Sequence, residues 1–317
     1  MQPSESVRSG NARTEGIQEK LDRIEKTCRL RTVGGKVASY IPELANVDPK
    51  LFSLSATTVG GETFSSGDSS VLFSMQSISK VAALAFALET FGPERVFRKV
   101  GTEPCSEPFN SIMKLEMSSN TPLNPFINSG AIMIASLIAE ALGEKAIGAV
   151  LAFTSLLAGR APGNGLTVNE RIYESETSTA DRNRSLAYFM RSTGALPCGV
   201  EESLALYFRM CSIEANTKDL SFIGATLANG GMSLLSLETV YAVLGLMSTC
   251  GLYSESGQFA IQVGLPAKSG VCGGILCVAP AQMGIAVFSP PLDERGNSVA
   301  GFAALTALSR EMKLRGL

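Results

Sequence analysis

Phe73-Ser74-Met75-Gln76-Ser77-Ile78-Ser79-Lys80 stands between a polar run, Ser65 to Ser70, and a long apolar one, Val81 to Leu88. Ser77 and Lys80 are three residues apart. If a helix starts near Ser77, that spacing puts both side chains on one face. A serine hydroxyl is a poor nucleophile until a neighbouring base takes its proton. A desolvated lysine can be that base. Ser-x-x-Lys is therefore a nucleophile-plus-base pattern, although an N-cap serine followed by a solvated lysine gives the same tetrapeptide.

The rest of the chain narrows the choice. It has 317 residues, 45% of them apolar and 18% charged, with a formal charge of -2. That suits a globular chain with a substantial core. No basic face or tail stands out, so nothing points to nucleic acid or an anionic membrane as partner. There is no histidine, which excludes a Ser-His-Asp triad and a Cys-His dyad. The seven cysteines, Cys28, Cys105, Cys198, Cys211, Cys250, Cys272 and Cys277, are scattered and form no C-x-x-C pair. They read as reduced thiols, and no zinc or other metal site is expected. Met1 to Lys20 is polar, without the apolar segment of a signal peptide. No apolar run approaches the ~20 residues that span a bilayer. The expectation is a cytoplasmic protein.

Hydrophobic periodicity predicts the elements. Residues 1–14 read as a flexible leader and 15–30 as an amphipathic helix. Leu51 to Thr58, Gly60-Gly61 and Glu62 to Phe64 read as a β-hairpin. Residues 77–91 are apolar nearly all round, which describes a helix buried at the centre of a domain. A proline-rich loop region follows over 101–128, then helical segments from Asn128 to about residue 247. Beyond 251, Phe259 to Val263 alternates, and Gly274 to Ala279 and Gly284 to Phe288 are short β-rich runs. A helix over 298–313 closes the chain. The fold class is α+β: an antiparallel sheet flanked by helices, built from 15–75 and 251–317. A mainly helical domain, 76–250, is inserted, with a cleft between the two.

Lys268-Ser269-Gly270 lies just after the alternating run, in a strand-like setting. It matches the Lys-Thr/Ser-Gly element that accompanies Ser-x-x-Lys in penicillin-recognising acyl-transfer enzymes. A strand edge there and the N–H of Ser77 can supply two convergent donors, an oxyanion hole.

Many stretches in order resemble the serine-dependent glutaminases. They include Lys36-Val-Ala-Ser-Tyr40-Ile-Pro-Glu, Gln76-Ser-Ile-Ser-Lys80, Glu103-Pro104 with Phe109-Asn110-Ser111, and Asn124-Pro-Phe-Ile-Asn128-Ser-Gly. Glu174-Ser-Glu176 with Asp181-Arg-Asn183, Tyr207-Phe with Cys211-Ser-Ile, and Thr226 to Gly231 follow. Cys250-Gly-Leu-Tyr253, Ser256 to Ala260, Leu265 to Val271, and Ser289-Pro-Pro-Leu-Asp293 with Gly296-Asn-Ser complete the match, which runs from about residue 15 to the C-terminus. The resemblance implies a β-lactamase/DD-peptidase-like fold and cofactor-free hydrolysis of L-glutamine to L-glutamate and ammonia. It makes Ser77 the nucleophile, Lys80 its base and Tyr253 the proton relay. It assigns the N–H groups of Ser77 and Val271 to the oxyanion hole. Tyr40, Gln76, Asn128, Glu176, Asn183 and Tyr207 hold the substrate, with Glu176 suited to its ammonium. A homodimer or homotetramer comes with the same resemblance.

Plainer readings stand beside these. Tyr40, Tyr207 and Tyr253 are also ordinary half-buried tyrosines. Glu176 sits in an acidic cluster and reads as a solvated loop carboxylate. Asn128 and Asn183 each precede an apolar helix and read as N-caps. Lys268 reads as structural. Cys105-Ser106, Ser129 and Cys272 depart from the family pattern, and Cys272, beside Val271, is an oxidation-sensitive spot. A β-lactamase or peptidase on the same fold, and a non-catalytic glutamine sensor, are the competing functions. Whether Lys80 or Tyr253 first takes the serine proton is open.

Overall fold

The computed structural model describes residues 5–105, 111–117 and 120–315. Phe109-Asn110 of the matching stretches lies outside them, as do the first four residues.

Helix α1 spans Glu5–Cys28, so residues 5–14 of the expected leader are helical. Ile17, Leu21, Ile24 and Cys28 are its buried stripe, as their spacing predicts. The hairpin forms as expected: β1 is Ser53–Thr58 and β2 Thr63–Gly67. Gly61 adopts a φ of 89° in its turn, a conformation cheap only for glycine. A two-residue strand, β3 (Phe73–Ser74), then leads through a 3₁₀ turn, Gln76–Ile78, into α2, Ser79–Phe91.

The helical stretch contains α3 (Pro93–Phe97), α4 (Ile112–Met117), α5 (Asn128–Leu142) and α6 (Ala146–Leu157). It continues with α7 (Glu170–Ser178), α8 (Asp181–Ser192), α9 (Val200–Cys211), α10 (Thr217–Ala228) and α11 (Leu237–Cys250). Two short strands interrupt it, β4 (Thr167–Val168) and β5 (Ile213–Ala215). With β3 they make a small sheet, β3-β5-β4, which periodicity over such short runs does not reveal.

Phe259–Val263 is not a strand. Ser256–Gln262 is helix α12, with Phe259 buried and Ile261 exposed. Five residues are too few to separate a period of 2 from one of 3.6. The chain ends with β6 (Ala267–Ser269), β7 (Gly274–Ala279), β8 (Met283–Phe288) and α13 (Val299–Met312).

The large sheet has the order β2-β1-β8-β7-β6, all antiparallel, and joins both ends of the chain. Every residue of β7 and β8 is buried, because helices cover both faces. Leu54 and Ala56 of β1 face an apolar core shared with α1 and α13. Ser55 and Thr57 face α10 instead, where their hydroxyls meet Thr217 Oγ1 at 2.8 Å and Ser221 Oγ at 2.7 Å. So one helix of the middle stretch serves as a cover of the terminal sheet. A Cβ on Gly284 would lie 2.1 Å from the Ala225 nitrogen. Gly284→Val is therefore expected to destabilise the protein by at least about 2 kcal/mol through overpacking, read as a lower midpoint in thermal or denaturant unfolding.

The second core surrounds α2, which is buried along most of its length. Phe73 joins the two sheets: its ring stacks on Phe288 of β8 with centroids 4.0 Å apart. Met75 N–H donates to Ile213 O at 2.7 Å. These two anchors fix the chain just before Ser77.

Candidate active site

Ser77 lies at the entry to α2, one residue after Gln76, whose φ is 48°. A non-glycine residue in that region costs about 1–3 kcal/mol and persists only where its surroundings enforce it. Lys80, one turn on, is 2% exposed. Its Nζ donates to Phe126 O at 3.1 Å and Asn128 Oδ1 at 2.8 Å. Burial pulls its pKa down to about 8, against the opposing pull of Cys211 and Glu176. A lysine so placed holds a usable fraction of neutral amine near neutral pH.

The N-cap readings of Asn128 and Asn183 do not hold. Ile127 caps α5 and Ala180 caps α8. The two asparagines sit in the first turns of these helices and meet across the cleft, Asn128 Nδ2 donating to Asn183 Oδ1 at 2.9 Å. Glu176 is not a solvated loop carboxylate either: it is buried in α7. Burial pushes its pKa up to about 7, opposed by the Gln76 amide and the Lys80 charge. Gln76 Nε2 reaches its Oε2 at 3.5 Å. Tyr207 is buried on α9, and desolvation holds its phenol well above the usual value. Tyr40 is 55% exposed overall. Its hydroxyl end is nevertheless enclosed, and desolvation followed by the neighbouring Tyr253 raises its pKa well above 10.

Tyr253 approaches from the opposite side with a φ of 53°. Burial pushes its phenol up to about 12, opposed by hydrogen bonding to Ser77 and Ser269. Lys268 lies beneath it, its Nζ 4.5 Å from the ring centroid. That ammonium is fully buried and donates to Gly251 O at 3.0 Å and Ser269 O at 2.7 Å. Desolvation and the charge of Lys80 hold its pKa well below 10.5. The structural reading of Lys268 fits these bonds.

Val271 follows β6 in a tight turn. Among the described residues, neither its N–H nor that of Ser77 has a backbone acceptor. Cys272 tethers this turn: Gly274 N–H donates to its sulfur at 3.3 Å, and the thiol lies 3.9 Å from Met75 O. Burial pushes the thiol up to about 12, so it stays protonated and poorly reactive. This removes the reason to expect ready oxidation there.

A cleft of about 170 Å³ gathers Tyr40, Gln76, Ser77, Asn128, Glu176, Asn183, Tyr207 and Val271. It brings together all the substrate-holding residues expected from the sequence except Tyr253, which joins it through Ser77. The volume is well below the ~300 Å³ of drug-sized sites and suits a small molecule. Ile41, Thr179, Ala180 and Arg182 line it too, and Cys211 lies among Glu176, Tyr207 and Lys80. Motif spacing does not single these out as site residues, although Ile41, Arg182 and Cys211 fall inside the quoted stretches. Among the described residues no group of three or more His, Cys, Asp or Glu can hold a metal ion.

The glutaminase family model matches residues 35–316. The chain belongs to the glutaminase family. A glutaminase of Clostridium botulinum strain Hall is 47% identical over 287 residues, 88% of this chain and 93% of its own length. Glutaminase structures share the α+β fold. One described as a probable glutaminase, ybaS, superposes with a TM-score of 0.87 at 40% identity, covering 94% of this chain and 98% of its own. Another, Mglu in its glutamate form, gives a TM-score of 0.88 at 37% identity, covering 94% of this chain and 69% of its own.

Proposed function

We propose that this family member hydrolyses L-glutamine to L-glutamate and ammonia through an acyl-enzyme on Ser77. The observation that carries the reading is the buried Lys80, its pKa near 8, one turn from a serine that adjoins the Tyr253 hydroxyl. Lys80 takes the Ser77 proton as Oγ bonds to the amide carbon. Tyr253, with a phenol near 12, is the weaker candidate for that step. It passes a proton to the departing nitrogen as the C–N bond breaks. The N–H groups of Ser77 and Val271 face the developing oxyanion. Water then cleaves the ester by the reverse proton route.

Glu176 pairs with the substrate ammonium. Tyr40, Gln76, Asn128, Asn183 and Tyr207 supply neutral hydrogen bonds to its carboxylate and amide. The glutamate form of a related structure supports the same ligand here. No helix of the described residues is long and apolar enough to cross a membrane. All seven cysteines are free, which supports a cytoplasmic location. We carry over a homodimer or homotetramer from the family, to be measured by light scattering.

Ammonia release across pH 6 to 9 tests the function. L-glutamine turnover is expected, with kcat rising up to about tenfold per pH unit below about 8 as Lys80 loses its proton. L-asparagine turned over as fast, or a chromogenic β-lactam turned over faster, overturns the reading.

A further inference from the structure

The motif Ser289-Pro-Pro-Leu-Asp293 with Gly296-Asn-Ser298 has no role in the chemistry above, and neither does Glu255. The structure brings them together behind Tyr253. Residues 293–297 form a tight turn: Asp293 Oδ1 accepts from Arg295 N–H at 2.9 Å and Asn297 N–H at 3.0 Å, and Asp293 N–H donates to Asn297 O at 2.9 Å. At its apex is Gly296. A Cβ there would stand 3.8 Å from Tyr253 Cε2 and 3.9 Å from Val271 Cγ1. The apex therefore stands about one methyl group away from the side chains of both the proton carrier and the oxyanion-hole residue.

The backbone on either side of Tyr253 is held from this turn. Asn297 is completely buried. Its Nδ2 donates to Glu255 Oε2 at 2.6 Å and to Leu252 O at 3.4 Å, one acceptor on each side of Tyr253 in sequence. Arg295 Nη1 holds the second carboxylate oxygen, Oε1, at 3.2 Å. Asn297 Oδ1 is buried without a hydrogen-bond partner among the described residues, so the side chain's hydrogen bonds there are those its NH₂ group donates. Tyr253 itself has a φ of 53°. A tyrosine keeps that conformation only where neighbouring groups over-determine it.

We propose that Glu255 and Asn297 are positioning residues. Through Leu252 O and the Glu255 carboxylate they clamp the Tyr253 backbone in its left-handed conformation, aiming the phenol at Ser77. Neither touches the reacting atoms. The inference rests on Tyr253 being the proton carrier, and it assigns the 289–298 motif a part in the rate of the reaction.

Asn297→Asp sets one carboxylate against another across the 2.6 Å contact. It is expected to lower kcat for L-glutamine about ten- to a hundredfold, with KM within about twofold, because small misplacements of a catalytic group cost rate rather than binding. Adding Glu255→Gln returns a donor to that contact, though not to Leu252 O, and is expected to recover about threefold or more of the lost kcat. A merely structural role would move the melting temperature and leave kcat of the folded protein unchanged. The proposal is overturned if folded Asn297→Asp keeps its kcat, if only KM changes, or if the double variant is no faster than the single. Should Asn297→Asp fail to fold, Glu255→Gln alone, matched in shape, is expected to lose about threefold or more in kcat, and an unchanged kcat overturns the proposal. Wild-type turnover measured alongside separates the two readings. Its absence counts against glutamine hydrolysis, and its presence with unimpaired variants counts against the clamp.

Discussion

Ser77→Ala is expected to reduce ammonia release from L-glutamine by about 10⁴-fold or more while leaving the protein folded. Removing the nucleophile leaves water as the only attacker. Catalysis that survives comes from the oxyanion hole and substrate positioning alone. The hydroxyl bears on the cleft and not on a core contact, and the backbone that shapes this corner is held by Met75 N–H and the Phe73–Phe288 stack. Stability is therefore expected to change by no more than ~1 kcal/mol, the size of one hydrogen bond to Tyr253. Steady-state ammonia release, with a thermal melt as control, reads both quantities. A variant within tenfold of wild type would mean that Ser77 is not the nucleophile.

Glu176→Gln is expected to weaken catalysis and strengthen the fold. The carboxylate is the proposed partner of the substrate ammonium, and removing one side of a buried charge pair costs about 2–5 kcal/mol. KM for L-glutamine should rise on the order of a hundredfold, with a smaller effect on kcat. The stability effect follows from the same burial. The folded pKa of about 7 lies above the ordinary 4.5. A raised pKa means that stability is fully present below about 4.5 and is lost as the pH rises through 7. At about 1.4 kcal/mol per unit, the loss is at most ~3.5 kcal/mol, the attraction of the ionised form to Lys80 being already contained in the folded value. Glutamine at this position carries no such loss and keeps an oxygen for the Gln76 amide. The variant should gain about 1–3 kcal/mol over wild type at pH 8, with the gain vanishing by pH 4. Denaturant unfolding at the two pH values checks it, and an equal difference at both would remove ionisation of Glu176 as the cause.

The large elements were legible because each carries a long signal. The hairpin announced itself through Gly60-Gly61, and α2 through an apolar surface nearly all round. The misread parts are short or depend on distant partners. Strands of two or three residues, such as β3 and β4, have no period to detect. Phe259 to Val263 alternates by accident of a helix with one buried face. Asn128 and Asn183 look like caps because they stand at helix starts. What removes them from that role is a partner 55 residues away. Glu176 looked solvated because its charged neighbours in sequence are exposed, whereas α7 turns this one side chain inward. The site was legible in its parts through family resemblance, and the burial that tunes Lys80 and Glu176 only through the packing of α2, α7 and α9.

The pairing of β1 with β8, Ser53 opposite Phe288, also governs how the molecule can be born. The N-terminal hairpin emerges from the ribosome early, but its central neighbour follows some 225 residues behind (Thr58 to Met283). At roughly 5–20 residues per second, the hairpin waits on the order of tens of seconds. During that time β1 presents an open edge, and Phe52, Leu54 and Ala56 lack the core that later covers them. The middle helices, with local contacts, can form meanwhile. The nascent chain is thus most vulnerable to aggregation at its own N-terminal strand. Sheet closure, which waits for β8, is also what delivers β6 and the Val271 turn that follows it to Ser77.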